Sequence, residues 1–394
     1  MKSTGVIARG IVTPIFRQGD DIIDLISNSL TEAAENDGYS LNDGDIVGVT
    51  EAVVGRVQGN YAELKHISKD IRSKFGGGEL GIVFPILSRN RFANVLVGIA
   101  GGCDKLYIQL SYPQDEVGNK FVDPAVCDEK GVNPYTDNFT EKQFRDIFGM
   151  DTVHKFTGVD YIEYYKEIAG NNCEIVFSND PLYILNYTKK VLCCDIHTRH
   201  RTQALIKKAG AELCLCLDEI LNEPVDGSGF SEFGLLGSNI ANADSVKLFP
   251  RDTKEFVIKL QNELYKRTGS KLEVMVYGDG CFKDPAGGIW ELADPVVSPA
   301  FTEGLAGTPN ELKIKYIADN DYADLSGEAL TESIRERIRS KPENLVGNMA
   351  SGGTTPRRIH DLVGSLCDLV AGSGDRGTPI VLVQNYFKNY ASEN

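Results

Sequence analysis

The stretch VIARGIVTPIFRQGDDIIDLISNSLTEAAENDGYSLNDGDIVGVTEAVV, residues 6–54, decides the class of fold. It opens on a β-branched run, Val6–Ile15, that reads as a strand. Asp20–Glu35 follows, with Ile22, Ile23, Leu25, Ile26, Leu30 and Ala33 at helical spacing. A second β-branched run, Asp45–Val54, closes the unit. Strand, helix and strand in direct succession mark a mixed α and β chain.

Working outward, strands are expected at Leu80–Ile86, Val95–Ala100, Leu106–Leu110, Glu174–Phe177, Lys190–Cys194 and Leu213–Leu217. Leu272–Tyr277, Leu312–Ile317 and Pro379–Gln384 carry the same signal. Helical periodicity recurs at Tyr61–Phe75, Thr253–Arg267, Glu328–Arg339 and Arg357–Ala371. Pro113–Asp151 is polar and rich in Asp, Asn, Pro and Gly, whereas helix and strand alternate with short turns from Tyr161 to Leu221. The Gly/Pro/Asp-rich segment Asn222–Ser245 closes that stretch. The expected organisation is a core segment over 1–125, an inserted α/β subdomain over 126–265, and a return to the core over 266–394.

The 394 residues include 41 Lys plus Arg against 56 Asp plus Glu, a net charge of −15. Such a balance, with a pI near 4.9, argues against a general nucleic-acid binder, which needs clustered cations for phosphates. No run of about 18 apolar residues exists, so no transmembrane helix is expected. The N-terminus MKSTGVIARGIVTPIFRQGDD has no long apolar stretch and no small-residue cleavage site. Nine cysteines, several inside apolar runs, read as buried free thiols. A reduced, cytoplasmic protein is the expectation.

Among the motifs, Gly372, Gly374 and Gly377 match G-x-G-x-x-G, but a helix precedes them and a strand follows. A dinucleotide site requires the reverse order, so this is an ordinary connecting loop. Cys193, Cys194, His197, His200, Cys214 and Cys216 have poor zinc spacing, because adjacent cysteines on a strand face opposite sides. Three carboxylates are more informative. Asp104 follows GIAGGC, Asp279 ends LEVMVYG, and Asp195 ends VLCC. An Asp at a strand's carboxyl end suits Mg²⁺ or Mn²⁺ with phosphates, and equally caps a turn. Spacing leaves the three equivalent. SGGTTPRRIHDLV, residues 351–363, is a well-signalled helix N-terminus whose Arg357 and Arg358 suit either an anion or solvent.

GIVTPIFRQGDDIIDLI (10–26), DGDIVGVTEAVVGRVQG (43–59) and RFANVLVGIAGGCD (91–104) together resemble the γ-glutamyl ligases that act on the deazaflavin coenzyme F-420. ADLSGEAL (323–330) and IHDLVGSLCDLVAG with GTPIVLVQN (359–372 and 377–385) extend the resemblance. It implies an α+β, intertwined, dimeric core that takes GTP, with ATP as the alternative, and Mn²⁺ or Mg²⁺. Such enzymes activate an acceptor carboxylate as an acyl phosphate, which the amine of L-glutamate attacks. By the same resemblance Thr13, Pro14, Ile15 and Phe16 lie along the nucleotide, as do Arg56 and Gln384. Asp104 is the first metal ligand and Asp279, or else Asp195, the second, the two carboxylates Asp104 and Asp279 carrying the catalysis.

Departures from the family pattern bear on function. Glu51–Ala52 stands where the family has Ser-Lys, removing one phosphate-facing cation, and Gly280 replaces a Thr. Two other readings follow from the residues. One is a non-catalytic ligand-binding member of the same fold. The other is a separate α/β enzyme on the Tyr161–Leu221 unit, using Asp195, His197 and Arg199.

Overall fold

The computed structural model describes residues 4–149, 152–154, 157–278, 281–283, 290–292, 298–345, 347–351, 358–371 and 376–388. Two larger sheets organise the chain into an α+β fold. The first interleaves both ends of the sequence. Its strands lie in the order Ile7–Ile11, Ile380–Gln384, Ile46–Thr50, Glu273–Tyr277 and Ala300–Phe301. Ile46–Thr50 and Glu273–Tyr277 are parallel; the other pairings are antiparallel.

Alternation along these strands separates two apolar faces. Val47, Val49, Val274, Val276, Ile380 and Leu382 pack against helices Ile22–Asp37 and Thr253–Thr268. Ile46, Met275, Tyr277, Val381 and Val383 pack against helix Ile359–Ala371. Gly48 is required there: a Cβ would sit 2.5 Å from Cys367 Sγ. Covering both faces explains why these strands read as continuous apolar runs.

The second sheet has six strands in the order Phe139–Thr140, Cys173–Phe177, Lys105–Leu110, Glu79–Val83, Lys190–Cys193 and Leu213–Cys216. Five are parallel, and Phe139–Thr140 adds an antiparallel edge. Taken by position in the chain, the parallel strands stand third, second, first, fourth, fifth. This is a doubly wound order, with its switch between Glu79–Val83 and Lys190–Cys193. Strands at 79–110, before residue 126, share this sheet with strands at 173–216. Cys193 and Cys194 fall in different apolar clusters, on opposite faces as the strand period requires.

Several elements differ from the sequence reading. Val95–Ala100 is helical, within Ala93–Gly101, instead of a strand. Its glycines admit helix Leu64–Phe75 so closely that a Cβ on Gly98 would lie 2.7 Å from Ile67. Leu312–Ile317 is likewise not a strand; helix Ile314–Asn320 begins within it. Asp45–Val54 divides at Thr50, whose hydroxyl accepts from Ala52 N and starts helix Glu51–Val57. The first strand stops at Ile11, short of Pro14, which has no N–H to pair. Among the described residues no helix is long and apolar enough to cross a membrane.

Candidate functional site

The carboxyl edge of the five-stranded sheet gathers Thr13–Phe16 and Arg56 from the residues singled out in the sequence. Ile7–Ile11, Ile46–Thr50 and Glu273–Tyr277 all run toward this edge, with Ile11 opposite Ile380, Ile380 opposite Val49, and Tyr277 opposite Thr50. Thr13–Phe16 leave the first strand here. Thr13 N donates to Gly377 O at 3.2 Å, Ile15 stands 80% exposed, and Phe16 is buried. Arg56, from the helix that Thr50 begins, donates its Nε to Phe16 O at 2.7 Å. That bond brings Arg56 and the Thr13–Phe16 segment together. Asp279, two positions after Tyr277 in the sequence, lies outside the described residues. Arg357 also lies outside them.

Lys247 is a member of this edge that no sequence signal marked. Its strand, Ser245–Lys247, pairs with Tyr61–Glu63, and its Nζ reaches within 3.5 Å of Glu51 Oε1. Both side chains are largely buried. Glu51 occupies the place where the ligase pattern has a small residue beside a lysine. A cation from 196 residues along the chain is thereby paired with Glu51, next to Ala52. Nothing short of the three-dimensional pairing could reveal it.

Gln384 stands elsewhere. It pairs with Ile7, at the opposite edge of the sheet, and is buried. Its amide donates to Asp45 Oδ2 at 2.7 Å and Ser40 O at 2.9 Å, while its oxygen accepts from Arg9. Those bonds occupy the side chain in holding the sheet to the turn before Ile46.

Asp104 belongs to the other sheet, at its amino edge, just before strand Lys105–Leu110. Its carboxylate accepts from Arg72 Nη2 at 2.9 Å and from Gly78 N at 3.1 Å, with the side chain 67% exposed. The Arg72 hydrogen bond, with help from Gly78, lowers its pKa. An arginine already neutralising an exposed carboxylate is a poor setting for a divalent ion. Asp195 follows the carboxyl end of Lys190–Cys193, at the far edge of the same parallel sheet, so it cannot share a ligand with Asp104. Among the described residues no three His, Cys, Asp or Glu side chains come together as a metal site. Asp104 and Asp195 thus do not come together around the divalent ion that the resemblance implies, and Asp279 is outside the described residues.

Asp195 is 1% exposed, and Oδ2 accepts from Thr198 Oγ1 at 2.7 Å and Thr202 Oγ1 at 2.8 Å. Burial raises its pKa against those two hydrogen bonds. Burial also lowers that of His197, aided by Arg199. Arg199 is paired with Asp218 at 3.0 Å. Nearby, Ile86, Phe92, Val95, Cys194, Ile196, Leu217, Leu235 and Leu236 line a small apolar cavity of about 30 Å³.

Comparison with known proteins adds to this geometry. The family described as F420-0:Gamma-glutamyl ligase matches residues 10–385, nearly the whole chain. Among curated proteins none matches. Among solved structures, the crystal structure of the biosynthetic arginine decarboxylase from Campylobacter jejuni is similar at 10% identity, over 91% of this chain and 64% of that one. This chain thus spans less than two thirds of that protein, and a TM-score of 0.15 carries no argument.

Proposed function

This chain belongs to the F420-0:gamma-glutamyl ligase family, and from that premise we propose that it joins an acceptor carboxylate to the amine of L-glutamate as an amide. A nucleoside triphosphate activates the acceptor: its terminal phosphoryl group passes to the carboxylate, and the amine then displaces phosphate. Amide, nucleoside diphosphate and inorganic phosphate are the products. The observation that supports this reading most is the span of the family match, residues 10–385. It takes in both terminal segments, which the fold interleaves in one sheet.

On this reading the reacting groups meet at the carboxyl edge of the five-stranded sheet. Thr13–Phe16 and Arg56 flank the nucleotide, Asp279 follows the neighbouring strand, and Lys247 supplies the positive charge that Ala52 lacks. A fixed cation beside a transferring phosphoryl group stabilises charge that develops there. The nucleotide is GTP, with ATP as the alternative, and the ion Mn²⁺ or Mg²⁺. No step is assigned to the ion, since the described residues do not build its site. The active form is a homodimer.

The test is a product assay on the full chain with the deazaflavin acceptor, L-glutamate, either nucleotide and either ion. Phosphate release that requires both acceptor and glutamate, with an acceptor heavier by a glutamyl residue, is expected. No glutamylated product under any combination overturns the ligase reading. One observation favours a second reading, a ligand-binding member without turnover: Asp104 is held by Arg72 away from the candidate edge. Nucleotide binding without product would select it.

A further inference from the structure

The six-stranded sheet has its own place for a ligand, independent of the ligase reading. In open parallel sheets, ligands bind outside the carboxyl ends of strands where the winding order reverses. Here that crevice lies between Glu79–Val83 and Lys190–Cys193. The chain leaving the first of these strands is Phe84-Pro85-Ile86, with no glycine to admit a pyrophosphate. A dinucleotide is therefore the wrong occupant.

What fills the crevice is a carboxylate from the chain itself. Glu116 accepts from Ile196 N on one oxygen and from His197 N on the other, the second at 3.1 Å. It rides on a loop that Asp115 holds, accepting from Leu87 N at 2.8 Å, Val117 N at 3.1 Å and Asn119 N at 2.8 Å. The two amides lead into helix Arg199–Lys208, ten residues long, with no side-chain cap and no acidic residue in its first turn. Arg199, His200 and Arg201 occupy that turn instead, with Asp218 beside Arg199 at 3.0 Å and beside His200 at 3.6 Å. Beside them Asp195 Oδ1 is buried with no hydrogen-bond partner among the described residues. A buried acceptor left unpaired is a cost to the fold that a donor would remove.

We propose that this crevice binds an α-amino acid, its carboxylate replacing that of Glu116 on the Ile196 and His197 amides and its ammonium donating to Asp195 Oδ1. The donors and the acceptor call for one ligand carrying both an anion and a hydrogen-bond donor. A phosphate dianion would face the buried Asp195 carboxylate. A metal ion would face two N–H groups and the Arg199 guanidinium. A zwitterion satisfies both halves and brings no net charge into a buried place. Glu116 is the internal substitute for the ligand's carboxylate, and it withdraws by its own side-chain torsions while Asp115 keeps the loop in position.

Calorimetry on the full chain, without nucleotide or metal, tests this with each of the twenty standard L-amino acids, glutarate and inorganic phosphate. At least one amino acid should bind the wild type. Glu116→Ala should tighten it about tenfold by removing the internal competitor, and Asp195→Asn should weaken it more than tenfold. Glutarate and phosphate should bind at least tenfold more weakly. Amide resonances of Ile196 and His197 in the wild type should shift with the same ligand, a readout that survives poor folding of a variant. Lys247→Ala, which would impair the ligase, should leave this binding unchanged. No amino-acid binding to wild type or Glu116→Ala, equal binding of glutarate or phosphate, or unmoved amides would overturn the proposal.

Discussion

The two sheets build their candidate sites in contrasting ways. The five-stranded sheet assembles an edge from short segments that carry recognisable patterns, residues 10–26 and 43–59, and completes it with Lys247 from a distant strand. The six-stranded sheet has no such signature. Its crevice is specified by strand order and by two carboxyl groups at a helix start, the half-buried Glu116 and the buried Asp195. Patterned segments expose the first kind of site to sequence reading. The second becomes visible only when strand neighbours are known, because no strand in it is distinctive alone.

That contrast can be tested from its strongest point downward. Asp115 is buried and accepts from two backbone amides of the loop that carries Glu116, Val117 N and Asn119 N, and from Leu87 N beside it. Asp115→Ala should lower stability by about 4 kcal/mol, from amides left unpaired. Urea unfolding measures it, and a loss under 1 kcal/mol would detach Glu116 from the architecture of the crevice. In the other sheet, Lys247→Ala leaves Glu51 buried without its cation, costing about 3 kcal/mol. Turnover at the ligase edge should fall about 100-fold as well, as expected for a lost electrostatic donor. Stability lost with turnover intact would make the pair purely structural.

A pH series separates the sheets further. Burial pushes the Glu116 carboxyl up to about 7, against the two amides that lower it. The folded chain therefore holds this proton more tightly than the unfolded one. Its stabilising contribution is full below about pH 4.5 and is lost as pH rises through about 7. Across that window the wild type should lose about 2 kcal/mol relative to Glu116→Gln, which does not titrate. Parallel stability profiles for the two proteins would contradict the buried carboxylate. The smallest expected effect is at Asp104. As an exposed partner of Arg72, Asp104→Asn should leave both unfolding midpoint and product formation unchanged. Abolished product formation would instead restore Asp104 as a ligand of the reacting metal.

Much of the fold was legible where pattern length was decisive. Helices Ile22–Asp37 and Thr253–Thr268 and strands Lys190–Cys193 and Ile380–Gln384 fall where periodicity put them. Val95–Ala100 failed because a short apolar run fits a buried helix as readily as a strand. Glycine spacing against Ile67 settled it in favour of the helix. Leu312–Ile317 failed because alternation alone does not supply a neighbouring strand. At the candidate edge, Thr13–Phe16 and Arg56 could be named in advance, since local patterns carry them. The separation of Gln384 from Thr13–Phe16 was not legible, because which end of a strand lies beside another depends on pairing register. Glu116 was invisible for the same reason: its partners lie 80 and 81 residues away.

The position of Ile380–Gln384 between Ile7–Ile11 and Ile46–Thr50 has a consequence for biosynthesis. A ribosome completes all strands of the six-stranded sheet, the last ending at Cys216, well before it makes this central strand. At about 5–20 residues per second, the two N-terminal strands wait tens of seconds for the partner that lies between them. The six-stranded sheet can fold during translation, whereas the five-stranded sheet closes only once residues 380–384 have been made. Nascent chains stalled before residue 380 should therefore protect the 79–216 region from protease while leaving residues 7–50 open to cleavage.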